Sequence, residues 1–300
     1  MATQQRSRSR RPSVARQRGP RHVEAVLDPN WQSPYTPSPA EREVHREALR
    51  RFALRRKRVE IIAGAVLAVA ALVAAVVSAW FIVVALAIAA AVALDVRRSV
   101  ASLERRVQTV GAAMLALFEV REVSKERQRL VTVIDRLTAT FGVDAVRAFI
   151  VDDPGYNAAL APDITGYCLL VTNAMMRDFD LIELEGVIAH CLARQRLGVL
   201  ARQSAAALTT SSPGRRYELA GPGLAYRADE VAAAAIRYPL GLAGALRRCA
   251  RQVVPAGSHF TSPAYDQWRY LWFDMYSDRS APDLADLDDV ELRALALEEW

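Results

Sequence analysis

Cysteine is scarce in this chain of 300 residues, where Cys168, Cys191 and Cys249 are the only three. They are odd in number, and no two of them form a C-x-x-C pair. This pattern argues against a disulfide framework and against a structural zinc knuckle. A reducing compartment is therefore the expected environment of the folded part, because free thiols persist there.

Charged residues are absent from one long stretch, which runs from Ile61 to Leu94. A buried helix of a soluble protein rarely contains even about 18 such residues in succession, so the stretch predicts an integral membrane anchor. As one straight helix it would be about 50 Å long, whereas the hydrocarbon core of a bilayer is about 30 Å thick. A break near Ser78, Ala79 and Trp80 would divide it into two short spans.

The charges on either side of this stretch favour two spans. Arginine and lysine mark the cytoplasmic side of a membrane segment, and here both flanks are basic. The basic residues are Arg50, Arg51, Arg55, Arg56, Lys57 and Arg58 before the stretch, and Arg97, Arg98, Arg105 and Arg106 after it. A hairpin would place both flanks in the cytoplasm, with Trp80 and Phe81 at the opposite interface. A single tilted span is the alternative, and it would place the C-terminal domain outside.

Acidic residues are few at the N-terminal end, where residues 1–58 contain five Asp and Glu against fifteen Arg and Lys. Residues 1–40 are rich in Arg, Ser and Pro, a composition that cannot bury enough apolar surface to fold alone and that predicts disorder. In the simplest interpretation this tail fixes membrane topology, and its charge would attract anionic lipid at the bilayer surface. No base-reading motif accompanies it, so no specific nucleic-acid partner is expected.

These patterns divide the chain into four regions. We expect a basic tail and juxtamembrane helix over residues 1–58, a transmembrane hairpin over 59–98, a helical connector over 99–124 and a C-terminal domain over 125–300. In the C-terminal domain, apolar strands are predicted at 148–151 and 167–172, and Asp180 precedes a helix that ends near Gly198. The predicted fold class is α+β, with a mostly helical domain that contains a small sheet.

Six short motifs follow one another in the C-terminal domain. They are Asn157-Ala158-Ala159, Leu170-Val171-Thr172, Glu183-Leu184-Glu185-Gly186-Val187-Ile188-Ala189-His190, Tyr226-Arg227-Ala228-Asp229, Arg237-Tyr238-Pro239-Leu240-Gly241-Leu242 and Tyr270-Leu271-Trp272-Phe273. In order and spacing they resemble the HtpX-like and CAAX-prenyl endopeptidase group of membrane zinc metalloproteases. The resemblance covers about residues 125–300. It implies a zincin-like domain, and a cell-membrane protein whose soluble domain lies in the cytosol.

The chain departs from this family at the residues that carry its chemistry. In the family, the helix E-L-x-A-V-I-A-H-E-x-x-H supplies two zinc-binding histidines one turn apart, and the Glu after the first acts as general base. Here His190 matches the first histidine, Cys191 stands at the base and Arg194 stands at the second histidine. The resemblance places the third ligand at Ala225, and Asp229 matches a supporting aspartate.

These departures predict that the zinc site is lost. Arg194 is permanently protonated and cannot bind a cation. Cys191 points about 100° away from His190 on a helix, so the two do not form a nucleophile–base pair. A catalytic zinc needs three protein ligands and an open position. We therefore expect no catalytic residue, no metal and no cofactor, with zinc present only if the site is built in another way.

Three functional hypotheses follow. The first is a non-catalytic, membrane-anchored relative of these proteases that binds a membrane protein or an active homologue. Its binding groove would lie along the second strand, where an extended peptide could pair with the strand edge. The groove residues would be Asn157, Leu170, Val171 and Thr172. The second hypothesis is an active membrane metalloendopeptidase with an atypical site, and the third is a structural membrane protein that acts through its basic tail.

Two regions near the C-terminus have simpler interpretations. An aromatic cluster is expected to belong to the core, and it comprises Trp268, Tyr270, Trp272, Phe273 and Tyr276. The acidic stretch from Asp283 to Glu299 is expected to form a solvated amphipathic helix.

Overall fold

Three long helices begin the part of the chain that the structure describes. The computed structural model describes residues 35–121, 124–209, 212–275 and 289–300, all within one compact unit, Tyr35–Trp300. Residues 1–34 of the predicted disordered tail therefore lie outside the described residues. The helices are α1 (Pro39–Arg56), α2 (Arg58–Ala74) and α3 (Trp80–Val107). Ser38 caps α1 by accepting a hydrogen bond from the Glu41 backbone N–H at 3.1 Å.

Helices α2 and α3 lie antiparallel and pack against each other. Lys57 Nζ lies 3.1 Å from Asp95 Oδ2, and a Cβ added at Gly64 would lie 2.4 Å from Val92 Cγ2. The chain leaves helical geometry between α2 and α3, close to the predicted break. Within the described residues, α3 is the one helix that is long and apolar enough to cross a membrane, with a mean hydropathy of 2.1 in its most apolar window. The number of spans and their orientation stay predictions.

Helix α3 continues past the apolar stretch and across the predicted boundary between hairpin and connector. Its last turns contribute Leu103 and Val107 to a small apolar cluster that also contains Leu49 of α1. Helix α4 (Val110–Leu115) follows, and its first residue is already buried in the main core. The end of α3 and the start of α4 are therefore both packed, and they connect the apolar helices to the C-terminal domain.

A small mixed sheet forms the centre of the C-terminal domain. Its strands are β1 (Val120–Arg121), β2 (Val146–Val151), β3 (Ala158–Asp163) and β4 (Gly166–Thr172). The strand order is β1-β2-β4-β3; β2 and β4 are parallel, and the other neighbours are antiparallel. Strands β2 and β4 confirm the two predicted strands. The sequence does not predict β3, because its alanines and Pro162 have low strand propensity, yet every residue of β3 is buried.

Helices surround this sheet. They are α5 (Ser124–Phe141), α6 (Asn173–Asp178), α7 (Leu181–Leu197), α8 (Leu200–Thr209), α9 (Pro213–Ala220), α10 (Leu224–Ala235), α11 (Pro239–Arg251), α12 (Pro263–Trp268) and α13 (Val290–Glu298). Short 3₁₀ turns lie at His259–Thr261 and Arg269–Leu271. The domain is thus mostly helical with a small mixed sheet, as the predicted α+β class requires. Its zincin-like character stays a prediction.

Helix α7 is the central helix of the domain. Glu183 N–H donates to Asp180 Oδ1 at 2.8 Å in a capping box, and Gly198 ends the helix with a left-handed φ of 75°, so both predicted ends are confirmed. The helix packs against β3, α5, α10 and α11. A Cβ at Gly186 would lie 2.7 Å from Leu242 Cα, which shows how closely α7 and α11 approach. This burial on all sides explains why α7 shows no clear polar face.

The expectation of a merely solvated C-terminal helix is wrong for the described part of that stretch. Helix α13 packs against α10 and α11, and Arg293, Ala294 and Leu297 are buried. Residues 283–288 lie outside the described residues. The expected aromatic core is confirmed for Trp268, Trp272 and Phe273, whereas Tyr276 is outside the description.

Candidate functional site

A buried histidine lies at the middle of α7. His190 is 2% exposed, and its Nδ1 lies 2.7 Å from Asp229 Oδ1 on α10. Burial lowers the pKa of His190 to about 4, against the opposing effect of Asp229, so the ring is neutral near pH 7. Burial by itself would raise the pKa of Asp229, but Arg293 and His190 lower it below its ordinary value. The histidine therefore donates its Nδ1–H to a carboxylate, which leaves the lone pair on Nε2.

An arginine from α13 completes this network. Arg293 Nε donates to Asp229 Oδ2 at 2.6 Å, Nη2 donates to Oδ1 at 3.0 Å, and Nη1 donates to the Phe273 carbonyl at 3.2 Å. The side chain of Arg293 is 0% exposed, and its guanidinium lies 5.5 Å from the centre of the Phe273 ring. The sequence analysis missed this residue. The available signal was that Arg293 is the single basic residue of the acidic stretch and lies beside apolar positions.

Arg194 lies one helical turn after His190 on α7 and is also buried. Its Nη2 donates to Gln203 Oε1 at 2.5 Å, and its Nη1 donates to the Leu271 carbonyl at 2.8 Å. A further hydrogen bond runs to the Tyr270 carbonyl. This guanidinium therefore ties α7 to α8 and to the turn at Arg269–Leu271.

The structure brings together the three positions that the resemblance assigns to metal ligands. His190, Arg194 and Ala225 line one small cavity of about 10 Å³, which has room for about one water molecule. Histidine is the one metal-binding side chain of the three. No group of three or more His, Cys, Asp or Glu in the described ranges could hold a metal ion. A guanidinium occupies the side of the cavity where a second imidazole would be needed.

Cys191 is fully buried beside this cavity-lining face. Burial raises the pKa of its thiol to about 12, so the group stays protonated. A buried thiol is neither a general base nor an activated nucleophile. The expectation that Cys191 is not a catalytic residue stays a prediction.

The predicted peptide groove along β4 is wrong. Strand β4 is paired with β2 on one side and with β3 on the other, so it has no free edge. Leu170, Val171 and Thr172 are fully buried. The error follows from the missing β3, since without that strand β4 would lie at the sheet edge.

The side chain of Asn157 connects the start of β3 to Asp274 by hydrogen bonds. Its Nδ2 donates to the Asp274 carbonyl at 2.7 Å, and its Oδ1 accepts from the Asp274 and Ala158 N–H groups at 3.0 Å each. The residue before Asp274 covers the outer edge of β3, because Phe273 N–H donates to the Ala158 carbonyl at 2.7 Å. Neither side of the β3–β4 pair therefore leaves an open edge at this point.

A second polar cluster is centred on Asp153, at the end of β2. Asp153 is fully buried and accepts hydrogen bonds from Gly155 N–H and Ser258 Oγ, both at 2.7 Å. His259 contributes its backbone N–H at 2.8 Å and its Nδ1 at 3.1 Å. The cluster fixes the half-exposed ring of His259 at the edge of an open cleft.

This cleft has a volume of about 500 Å³ and is lined by Phe118, Glu119, Pro154 and His259, among others. Phe118 packs against the His259 ring with centroids 4.8 Å apart. An apolar recess of about 50 Å³ adjoins it between His259 and Trp268. None of the candidate zinc positions lines this cleft.

Comparison with known proteins agrees with the resemblance in the sequence. The chain is 28% identical over 190 residues to a protein named protease HtpX homolog from Dictyoglomus thermophilum, a match that covers 49% of this chain and 63% of that protein. A protease HtpX homolog from Dictyoglomus turgidum matches at 28% identity over 190 residues, covering 62% of its length. Both similarities support an HtpX-like peptidase family.

The matched region thus spans less than two thirds of either relative. No protein-family model matches the chain, and no solved structure matches it significantly. Together with the apolar helix α3, the HtpX similarities support membrane association.

Removal of the Arg293 guanidinium tests the buried network. In Arg293→Met, Asp229 would be left as a buried carboxylate without its cation, so we expect the free energy of unfolding to fall by roughly 3–5 kcal/mol. Denaturant unfolding of the detergent-purified full-length protein measures the change. Arg293→Met combined with Asp229→Asn should recover part of the loss.

Arg247→Met is the matched control for this experiment. Arg247 Nη2 on α11 pairs with Glu298 on α13 at 2.7 Å, so this ion pair also involves α13, but it is partly exposed to solvent. We expect only a small change, because exposed ion pairs contribute little. Equal losses in the two single variants would contradict a special role for Arg293.

The lowered pKa of His190 predicts acid sensitivity. The unfolded chain takes up a proton near pH 6.5 and the folded chain only near pH 4, so stability falls as the pH falls through this window. Between pH 7.5 and pH 5 the loss should be about 2 kcal/mol. Asp229, whose pKa is lowered, contributes its own loss only at more acidic pH.

The pH effect is assigned by comparing the native protein with His190→Gln at both pH values. The variant should lose about 2 kcal/mol less between pH 7.5 and pH 5. His45, whose pKa is also lowered by burial, titrates in both proteins and cancels in the comparison. An identical pH dependence in the two proteins would contradict the assignment.

Proposed function

We propose that this chain is a membrane-anchored, non-catalytic relative of HtpX-type proteases, which acts by binding a membrane-associated protein partner. One observation carries the non-catalytic part of this proposal. The cavity at the three candidate ligand positions contains one imidazole, one hydrogen-bonded guanidinium and one alanine. This donor set does not fit zinc, because a hydrolytic zinc site uses three protein ligands and an open position.

The charges around the cavity also disfavour a zinc ion. Asp229 holds His190 through Nδ1, which is the arrangement that orients a metal-binding histidine in zinc proteins. In this chain, however, Arg293 already supplies the positive charge that balances the buried carboxylate. Arg194, which lines the cavity, adds a second buried cation. A divalent cation at Nε2 would therefore be repelled by two guanidinium groups.

The hydrolytic step also lacks its base. Zinc hydrolysis needs a carboxylate that removes a proton from the attacking water. Cys191 stands at that position as a buried thiol whose pKa is about 12. The site therefore supports neither metal-assisted hydrolysis nor attack by a side-chain nucleophile. The cavity of about 10 Å³ is also too small for a peptide bond and its neighbours.

The partner would bind in the open cleft at Phe118 and His259. The edge of β4 is not free, but this cleft is about 500 Å³ and has an apolar recess beside it. Asp153 holds His259 in a fixed orientation, and Glu119 adds an exposed carboxylate at the rim. An apolar side chain of a partner would fill the recess, and polar groups would contact the rim.

Zinc content tests the non-catalytic part. Elemental mass spectrometry of the detergent-purified protein should find zinc at background, both in the native chain and in His190→Ala. The triple variant Cys191→Glu, Arg194→His and Ala225→Glu should raise the zinc content towards one ion per chain, because it supplies the missing ligands around His190. Near-stoichiometric zinc in the native chain that disappears in His190→Ala would contradict the proposal.

Site-specific photocrosslinking tests the partner. A photoreactive residue at the exposed, cleft-lining position Glu119 should give a defined protein adduct in membranes of the source cells. The same residue at Ile164, which is 74% exposed in the turn between β3 and β4, serves as the matched control. Phe118→Ala should weaken the Glu119 adduct. Equal adducts from both positions, or none from Glu119, would reject this cleft as the binding surface.

A further inference from the structure

A separate cavity lies at the base of α2 and α3, far in the sequence from the histidine site. Its volume is about 330 Å³, and it is enclosed by α1, the first turn of α2, the C-terminal half of α3 and the end of α8. This volume is at the lower end of the range of about 300–1,000 Å³ that is typical of clefts for small ligands. The cavity is partly open to solvent, so a ligand can enter it.

The cavity lies where the two ends of the uncharged stretch come together. Lys57 Nζ contacts Glu60 at 2.6 Å and Asp95 at 3.1 Å, and these two acids flank residues 61–94 on either side. Immediately beyond Glu60, Ile62 and Val66 are 53% and 62% exposed. In a membrane-associated chain, such exposed apolar side chains face lipid and the charged residues below them lie at the headgroups. The cavity therefore lies at headgroup level.

The polar lining of this cavity suits a phosphate group. Arg56 and Arg106 both line it and are both exposed, and within the described part of the chain neither is paired with a carboxylate. Ser99 and Ser102 add two hydroxyl groups on the α3 side. Arginine is the side chain best matched to phosphate oxygens, since its fork of N–H groups can donate two parallel hydrogen bonds. Lys57 is already shared between two acids.

Part of the cavity wall is apolar, and Glu60, which contacts Lys57, and Thr209 complete the lining. Phe52 from α1 and Leu103 from α3 line it alongside the basic residues. A ligand that matches both walls has an anionic head and a hydrophobic tail. A free phosphate ion would satisfy only the polar wall.

We propose that this cavity binds the phosphate headgroup of one anionic phospholipid, with Arg56 and Arg106 holding the phosphate and Phe52 and Leu103 contacting the glycerol and upper acyl chains. Basic pockets next to membrane helices bind acidic headgroups in this way. The site differs from attraction of the basic tail to lipid, because it is a defined cavity with a fixed stoichiometry. It depends on membrane association of α2 and α3, and it is independent of the proposed lack of catalysis.

Native mass spectrometry of the full-length protein in detergent tests this inference. With added phosphatidylglycerol, one lipid should be retained per chain, and phosphatidylcholine should be retained at least about tenfold less well. In Arg56→Gln/Arg106→Gln, retention of phosphatidylglycerol should fall about tenfold. Ser102→Tyr, which fills the cavity and leaves every charge in place, should cause a similar loss.

Arg97→Gln/Arg98→Gln is the matched control. Both arginines are exposed on α3, on the same flank of the uncharged stretch, and neither lines the cavity. Retention should be unchanged in this variant, although its net charge changes by the same amount. Equal losses in the two double variants, or no retained lipid in the native chain, would overturn the proposal.

Glycerol phosphate distinguishes a lipid from a soluble phosphate. At a millimolar concentration it should displace little of the retained phosphatidylglycerol, because it lacks the acyl chains that contact the apolar wall. Complete displacement would show that the cavity binds soluble phosphate compounds, and the assignment to lipid would then be wrong. Circular dichroism of each variant confirms that it is folded before the lipid measurement is interpreted.

Discussion

The ion pair between Arg293 and Asp229 is the interaction on which the rest of the candidate site depends. It places a fully buried arginine from α13 against a fully buried aspartate from α10, and that aspartate in turn orients His190 on α7. Three helices that are distant in the sequence therefore meet at one carboxylate. Because a buried charge without a partner is strongly destabilising, the position of α13 and the neutral state of His190 are set together.

The same network balances the buried carboxylate beside His190 with a side chain of the protein itself. In zinc proteins a carboxylate commonly supports a ligating histidine, and the metal supplies the positive charge nearby. Here Arg293 supplies positive charge to the carboxylate, and Arg194 uses its guanidinium to join α7 to α8 and to the turn at Arg269–Leu271. Arg194 thus has a structural role of its own, since it satisfies buried carbonyl groups.

Sequence reasoning predicted the elements with strong local signals. The helix that follows Asp180 and ends near Gly198 is present, as are the break between α2 and α3 and the strands β2 and β4. Strand β3 was not predictable from its composition, because burial and pairing overcome the low strand propensity of its residues. That single omission made β4 look like an edge strand and produced the wrong groove.

The sequence alone determined that an uncharged stretch interrupts the chain, because this depends only on residue identity. The resemblance to a known family assigned a base position to Cys191 and two ligand positions to Arg194 and Ala225. Only the tertiary structure decided that Arg293 reaches Asp229 and that β4 is closed on both sides. It also decided that Arg56 and Arg106 face one cavity. Each of these requires contacts between residues far apart in the chain, and such contacts are set by packing rather than by local pattern.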